Sequence, residues 1–306
     1  MNGLPRSGSS AHLEPAPHTG EVTPAPLDLV RDALGRQLFS RVAGPEGPAR
    51  RDRIAQAPGP RWFTADSPIR TVHGDASMFA GGIRALLLQS LHPLAMAGVA
   101  GHSGYKGDPW GRLQRTSHFL AVTTFGSAED AEAMVGRIRE IHERVRGSAP
   151  DGRPYSASDP HLLKWVHVAE VDSFLAAHQA YGAAPLDQAG RDGYVADTAR
   201  VAESLGVIDP PTTEQELAVQ LLSYRDELCG TPEARAAARF LLLTPPVPLP
   251  LRPGYGVLAA AAVGLMPRWT RRPLRLPYLP VVESVAVKAA GKAVTGTIRW
   301  AMQQPA

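Results

Sequence analysis

The chain has 306 residues, 44% hydrophobic and 20% charged, with a formal net charge of +3. That length buries a substantial core, and so small a basic excess does not mark a nucleic-acid binder. A lone cysteine, Cys229, excludes an intramolecular disulfide, a cysteine-based zinc site, an iron–sulfur cluster and covalent c-type haem attachment within the chain.

Residues 1–26 are rich in Pro, Ser, Gly and charge and read as a disordered tail, without the apolar core of a secretory signal. A first helix is expected over 27–42, then an extended segment over 44–74. From Ser77, "SMFAGGIRALLLQSLHPLAMAGVA" is apolar nearly all round apart from Arg84, Gln89 and His92. That pattern is a buried central helix, kinked or split at Pro93. Further helices are expected over 109–124, 128–147, 159–182, 187–205, 214–229 and 231–243. Asp159-Pro160 caps one of them, and Thr213 with Glu216 has capping-box spacing at another. Five prolines within "LLLTPPVPLPLRPGYG" interrupt the chain before a last pair of helices near 254–266 and 280–301. The apolar run at 256–266 is short of the ~20 residues that cross a bilayer. The expectation is a mainly α, soluble, cytoplasmic protein.

Three helices carry chemistry-bearing side chains. In "REIHERVRG" (139–147), Met134, Ile138, Ile141 and Val145 share a face, with His142 on its flank and able to project inward. In "GRLQRTSHF", Arg112, Thr116, Phe119 and Thr123 form one stripe, and Arg115 lies one position off it. A guanidinium and two hydroxyls beside an aromatic ring suit an anionic or oxygen ligand. The plainer alternative is a surface ion pair with Thr116 bonded back to its own helix. In "WVHVAEVDSFLAAH", His167, Val171, Phe174 and His178 share a face near Glu170 and Trp165. His92 makes a fourth buried histidine. One histidine on an apolar face is usually a satisfied core residue, whereas four on mutually packed helices point to a metal or cofactor without saying which.

The order "GGIRALLLQSLHPLAMAGV", "RLQRTSHF", "IREIHERVRG", "DGRPYSASDPHLLKWVHVAEVDSF" resembles the MpaB-type haem-dependent oxygenases, which include the latex clearing proteins. The likeness covers roughly 60–245, and HxxVRG with the downstream W-V-H is its most specific part. It implies an all-α, single multi-helix domain with a globin-like haem-binding helical core over 27–245, and 246–306 packed on the same domain. It also implies non-covalent haem b, dioxygen and a hydrophobic organic substrate. His142 is then the iron ligand, and Arg112 and Thr116 match the family's Arg-x-x-x-Thr pair in the haem pocket. Arg115 falls where latex-cleaving members place a lysine, which argues against a rubber substrate. Arg112 and Arg115 suit haem propionates or bound oxygen, and His167 suits a partner of the ligand or the distal side.

Competing chemistries lack their signatures. Paired Glu-x-x-His motifs, HExxH and GxSxG are all missing. "GYGVLAA" (254–260) follows a proline-rich stretch rather than a strand, so it is not read as a nucleotide fingerprint. Two expectations of another kind stand beside the enzyme. One is a non-catalytic helical module that binds a hydrophobic small molecule or a partner. The other is contact of the basic segment 268–276 with an anionic membrane surface, against the alternative of a C-terminal helix packed on the core.

Overall fold

The computed structural model describes residues 26–102 and 107–302. The tail expected over 1–26 lies, apart from Pro26, outside the described residues. The described chain is α-helical with one two-stranded antiparallel ribbon.

Two helices form the centre. α4 (Met78–Gln89) lies along α8 (Pro160–Tyr181), with Ile83, Leu87, Leu88, Trp165, Val168 and Phe174 buried between and around them. Gly81 permits this approach, because a Cβ there would meet the Phe174 ring at 2.8 Å. On one side α4 meets α12 (Arg252–Gly264), and α15 (Lys288–Met302) packs on α12, α8 and α1 (Pro26–Ala43). On the other side α9 (Gln188–Leu205) covers α8 and holds α3 (Pro68–His73). Beyond them α6 (Pro109–Phe125) and α7 (Ala128–Arg144) form a pair, α6 also touching α1 and α3 and α7 touching α9. One apolar core runs from Phe63 through Trp165 and Tyr194 to Leu258 and Ile298, so the C-terminal helices share it with the central ones.

Buried charge cross-links the layers. The Arg84 guanidinium, 3% exposed, lies 2.7 Å from Asp172 and donates to Ser173 Oγ (2.7 Å) and the Leu265 carbonyl (3.0 Å), joining α4, α8 and the end of α12. Arg299 on α15 pairs with Asp75 in the turn before α4 at 2.9 Å. Taking such ions out of water is tolerated only because each is paired and hydrogen-bonded.

The expected elements appear with instructive differences. The segment 44–74, expected to be extended, contains α2 (Gly47–Gln56) as well as α3. Pro48 and Pro68 fall in the first turns of these helices, where the absent N–H is not needed. The central apolar stretch is split as expected: α4 and α5 (Pro93–His102) meet at 108°. No single helix among the described residues is long and apolar enough to cross a membrane, and α4 is largely buried in the core.

α7 stops at Arg144, three residues earlier than expected, because the next residues enter a hairpin. β1 (Arg146–Ser148) pairs with β2 (Pro154–Ser156), placing Gly147 opposite Tyr155. A Cβ at Gly147 would meet the Tyr155 hydroxyl at 2.7 Å, which accounts for glycine in "HERVRG". Helix α10 (Glu214–Ser223) ends early too, followed by a 3₁₀ turn over Arg225–Glu227. α11 (Pro232–Leu243) follows.

The basic segment 268–276 is tied to the protein. α13 (Arg268–Arg271) carries Arg271, 3% exposed, which pairs with Glu283 at 2.7 Å and donates to the carbonyls of Gly264 and Met266. Leu274 is buried, and Arg268 stacks on Tyr278 at 4.2 Å. Glu283 begins a π-helical turn (Glu283–Val287) between α14 (Pro280–Val282) and α15.

Candidate functional site

The inward stripe of α7 is the buried Ala131 and Val135 with the half-buried Ile138 and His142, at i, i+4, i+7 and i+11. The helix is therefore rotated slightly from the sequence reading, and Ile141 is 40% exposed. His142 lies on the inward face rather than at its edge. Ser127 caps the start of the helix by accepting from the Asp130 N–H, and the Val145 N–H bonds the His142 carbonyl where the helix ends. These two ends fix the helical phase that turns the imidazole inward.

The His142 Nδ1 is buried with no hydrogen-bond partner among the described residues. Burial holds the ring below its ordinary pKa, only partly opposed by Glu143. It is therefore neutral near pH 7 and keeps a lone pair. His167 on α8 is similar: its Nε2 is buried and unpartnered, and burial pushes its pKa down to about 4. An unsatisfied buried nitrogen costs on the order of 1–3 kcal/mol, a cost a metal ion or ligand removes.

One turn beyond His167 stands Glu170, whose carboxyl burial pushes up to about 7. Burial, and after it the charge of Glu170, raises the hydroxyl of Tyr194 on α9 well above the phenolic range. His73, at the end of α3, bonds Thr124 Oγ1 of α6 through Nδ1 (2.8 Å) and the Tyr194 hydroxyl through Nε2 (3.3 Å). Burial lowers its pKa to about 3. With both nitrogens occupied, His73 is a satisfied core histidine and not a free ligand.

His73, His167 and Glu170 thus sit deep enough in protein to be strongly desolvated, yet each retains accessible surface. α6 and α7 lie closely on each other, while α8 makes no extended close approach to either among the described residues. A separate surface cleft lies between α12 and the 286–290 segment, lined by Pro253, Val257, Ala260 and Ala290, and carries no titratable group.

The predicted stripe of α6 runs from core to solvent. Thr123 is buried and bonds the Phe119 carbonyl, Phe119 is half-buried, Arg112 is half-buried, and Thr116 is exposed with its hydroxyl on the Arg112 carbonyl at 3.1 Å. Arg115 is exposed and pairs with Asp108 at 3.4 Å. Asp108 also caps α6 by accepting from the Gly111 N–H.

The structure does not gather all four histidines read from the sequence. His178 is buried on the far part of α8, beside Gly182. His92, between α4 and α5, stands instead with His161 and Glu227, a group whose ligand atoms lie within 4.8 Å of one another and could hold a metal ion. Sequence reasoning did not single out His73, Tyr194, His161 or Glu227. His73 fell in a segment read as extended, and the other three become neighbours of the relevant groups only through tertiary packing.

The sequence model of the family described as "ER-bound oxygenase mpaB/B'/Rubber oxygenase, catalytic domain" matches residues 70–300. The chain belongs to this mpaB/rubber oxygenase family. The match takes in every helix of the site, from α3 to α9, and reaches into α15. Among curated proteins, uncharacterized protein Mb2261 of Mycobacterium bovis and uncharacterized protein Rv2237 of Mycobacterium tuberculosis are each 33% identical over 100 residues. That alignment covers 32% of this chain and 38% of each relative's length. No solved structure matches. The family's description names oxygenases, and among the described residues His92, His161 and Glu227 could hold a metal ion.

The residues around α7 and α8 fit the haem implied by the sequence resemblance. Neutral imidazole is a good iron ligand, and His142 and His167 each offer a buried nitrogen without another partner.

Proposed function

We propose that this mpaB/rubber oxygenase family member is a haem b-dependent oxygenase acting on a hydrophobic organic substrate, with His142 as the proximal iron ligand. The observation that carries the reading is the unpartnered, buried imidazole nitrogen of His142 on the inward face of α7; His92, His167 and His178 also have one, and the HxxVRG element in which His142 stands favours it among the four. Haem held there would supply dioxygen-activating chemistry.

The chain's own residues then have distinct tasks. His142 is held neutral by burial, so its lone pair is available to the metal at neutral pH. Arg112 and Arg115, in the first half of α6, supply positive charge for the two propionates, and Thr116 holds the same face. His73, clamped between Thr124 and Tyr194, fixes α3, α6 and α9 around the haem cavity that this reading puts between α6, α7 and α8. His167 lies on the wall formed by α8. Glu170, poised at about 7, can hold or release a proton at its carboxyl oxygen near neutral pH. The apolar wall, with Phe174 beside His73 at 5.6 Å, excludes water and favours a hydrophobic substrate. Membrane contact through 268–276 is not part of this reading, because Arg271 and Leu274 are buried.

The test is oxygen uptake by haem-loaded protein offered a panel of alkenes, terpenoids and other hydrophobic compounds. Substrate-dependent uptake that disappears in His142→Ala supports the reading. Stoichiometric haem binding with no uptake on any compound would leave a binding module in place of an oxygenase.

A further inference from the structure

Outside the α6–α8 cavity, three metal-ligating side chains converge from three separate elements. His92 comes from the turn between α4 and α5, His161 from the first turn of α8, and Glu227 from the 3₁₀ turn after α10. His161 Nε2 lies 2.9 Å from both Glu227 carboxylate oxygens, and His92 Nε2 lies 3.3 Å from one of them.

The Tyr224 hydroxyl donates to the His161 carbonyl at 2.9 Å and lies 3.4 Å from His161 Nδ1. The Glu227 carboxylate only accepts, so His161 Nε2 meets it at 2.9 Å either by donating its own N–H or by sharing a bound cation with it. His92 adds a third nitrogen on the same side.

The donors are held firmly. His92 is 1% exposed. Tyr224, 2% exposed, packs between the rings of His161 (4.7 Å) and Trp165 (5.2 Å). The Cys229 N–H bonds the Leu91 carbonyl at 2.9 Å, which pins the chain after Glu227 to the residue before His92. On the outer side the His161 and Glu227 side chains are 55% and 43% exposed, so solvent can complete the coordination shell.

We propose that His92, His161 and Glu227 form a divalent transition-metal site of zinc type, second to the haem site, with three protein ligands and solvent at the remaining position. Two imidazoles and one carboxylate suit zinc and other borderline divalent ions and do not suit calcium or magnesium. Ligands about 2.0–2.2 Å from one ion lie roughly 3–3.5 Å apart; the two separations to Glu227, 2.9 Å and 3.3 Å, are close to that, and all three ligand atoms lie within 4.8 Å of one another. Bound metal clamps the α4–α5 turn, the start of α8 and the exit of α10 together. His161 and the cavity residue His167 are six positions apart on α8, about 9 Å along the axis, and on different sides of the helix. The proposal does not depend on haem.

The test is titration of tag-free, chelator-treated protein with Zn(II) by calorimetry and with Co(II) by visible absorption, the Soret region being recorded in the same samples. The expected result is one high-affinity site per chain with cobalt d–d bands, and a melting temperature raised by zinc. His161→Ala and Glu227→Gln should each weaken that site at least ~10-fold while leaving any Soret band unchanged. The two substituted side chains are partly exposed, so these variants should fold; circular dichroism checks that they do. No stoichiometric binding by the parent would reduce the cluster to a histidine–glutamate ion pair and overturn the proposal. Binding that persists equally in both variants would place the metal elsewhere and overturn it as well.

Discussion

Replacing Glu170 by glutamine should stabilise the protein, increasingly as the pH rises from about 4.5 to about 7 and fully above that. Burial raises the Glu170 carboxyl from its ordinary 4.5 to about 7. Between those values the unfolded chain has released the proton while the folded chain retains it, so stability falls as pH rises, and the loss is complete above about pH 7. At about 1.4 kcal/mol per pH unit, the interval amounts to roughly 3 kcal/mol as an upper bound. Glu170 keeps some contact with solvent, which lowers the expected effect to about 1–3 kcal/mol. His73 and His167, depressed to about 3 and about 4, act in the opposite sense. Their contribution is present above pH 6.5 and is lost as pH falls through their folded values, but it is common to both proteins and cancels in the comparison. Urea unfolding of parent and Glu170→Gln at pH 5, 6, 7 and 8, with equal haem loading, measures the difference. It should be smallest at pH 5 and grow to its full size by pH 8. A difference that is flat with pH, or that favours the parent at pH 8, would refute the assignment of Glu170 to a desolvated cavity wall.

Other substitutions probe the frame around the site. Arg84→Ala leaves Asp172, Ser173 and the Leu265 carbonyl without their shared cation and should cost roughly 3 kcal/mol or more in chemical denaturation. Gly230→Ala drives a Cβ into the Pro273 carbonyl, a backbone atom that cannot swing away, and should cost about 1–3 kcal/mol by the same assay. Arg115→Ala should change stability by less than about 1 kcal/mol, since its partner Asp108 is as exposed as it is; a loss of several kcal/mol would contradict that placement.

Much of the architecture was legible because local signals and tertiary packing agree. α8 and α9 have aspartate caps that accept from the next turn, at Asp159 and Asp187, and α10 has its Thr213 cap. Pro93 does break the apolar stretch, and the bend of 108° turns one long hydrophobic run into two helices. The missed helices α2 and α3 are short and proline-opened, so proline there marks a start where it was read as an interruption. The ribbon after α7 has strands of three residues, too short for any alternation to register.

The site was only half legible. His142 stands out because its helix has an apolar stripe beside it, and in the structure it is half-buried in register with Ala131 and Val135. The reading of Arg112, Thr116 and Phe119 as a buried polar face runs into a gradient, since α6 emerges from the core toward its N-terminus. Glu170 was visible only as a neighbour of His167. Its raised carboxyl pKa comes from burial, which depends on the packing of other elements over α8. His92 was read with the other three histidines, whereas its partners are His161 and Glu227, brought to it by the turn after α10.

The central claim is that His142 holds haem iron. The most direct measurement is the absorption spectrum and haem content of purified, haem-supplied protein beside its His142→Ala and His167→Ala variants. The account predicts a Soret band in the parent that is lost or strongly shifted in His142→Ala and retained in His167→Ala. A band unchanged by His142→Ala, or no band in the parent after haem reconstitution, would contradict it.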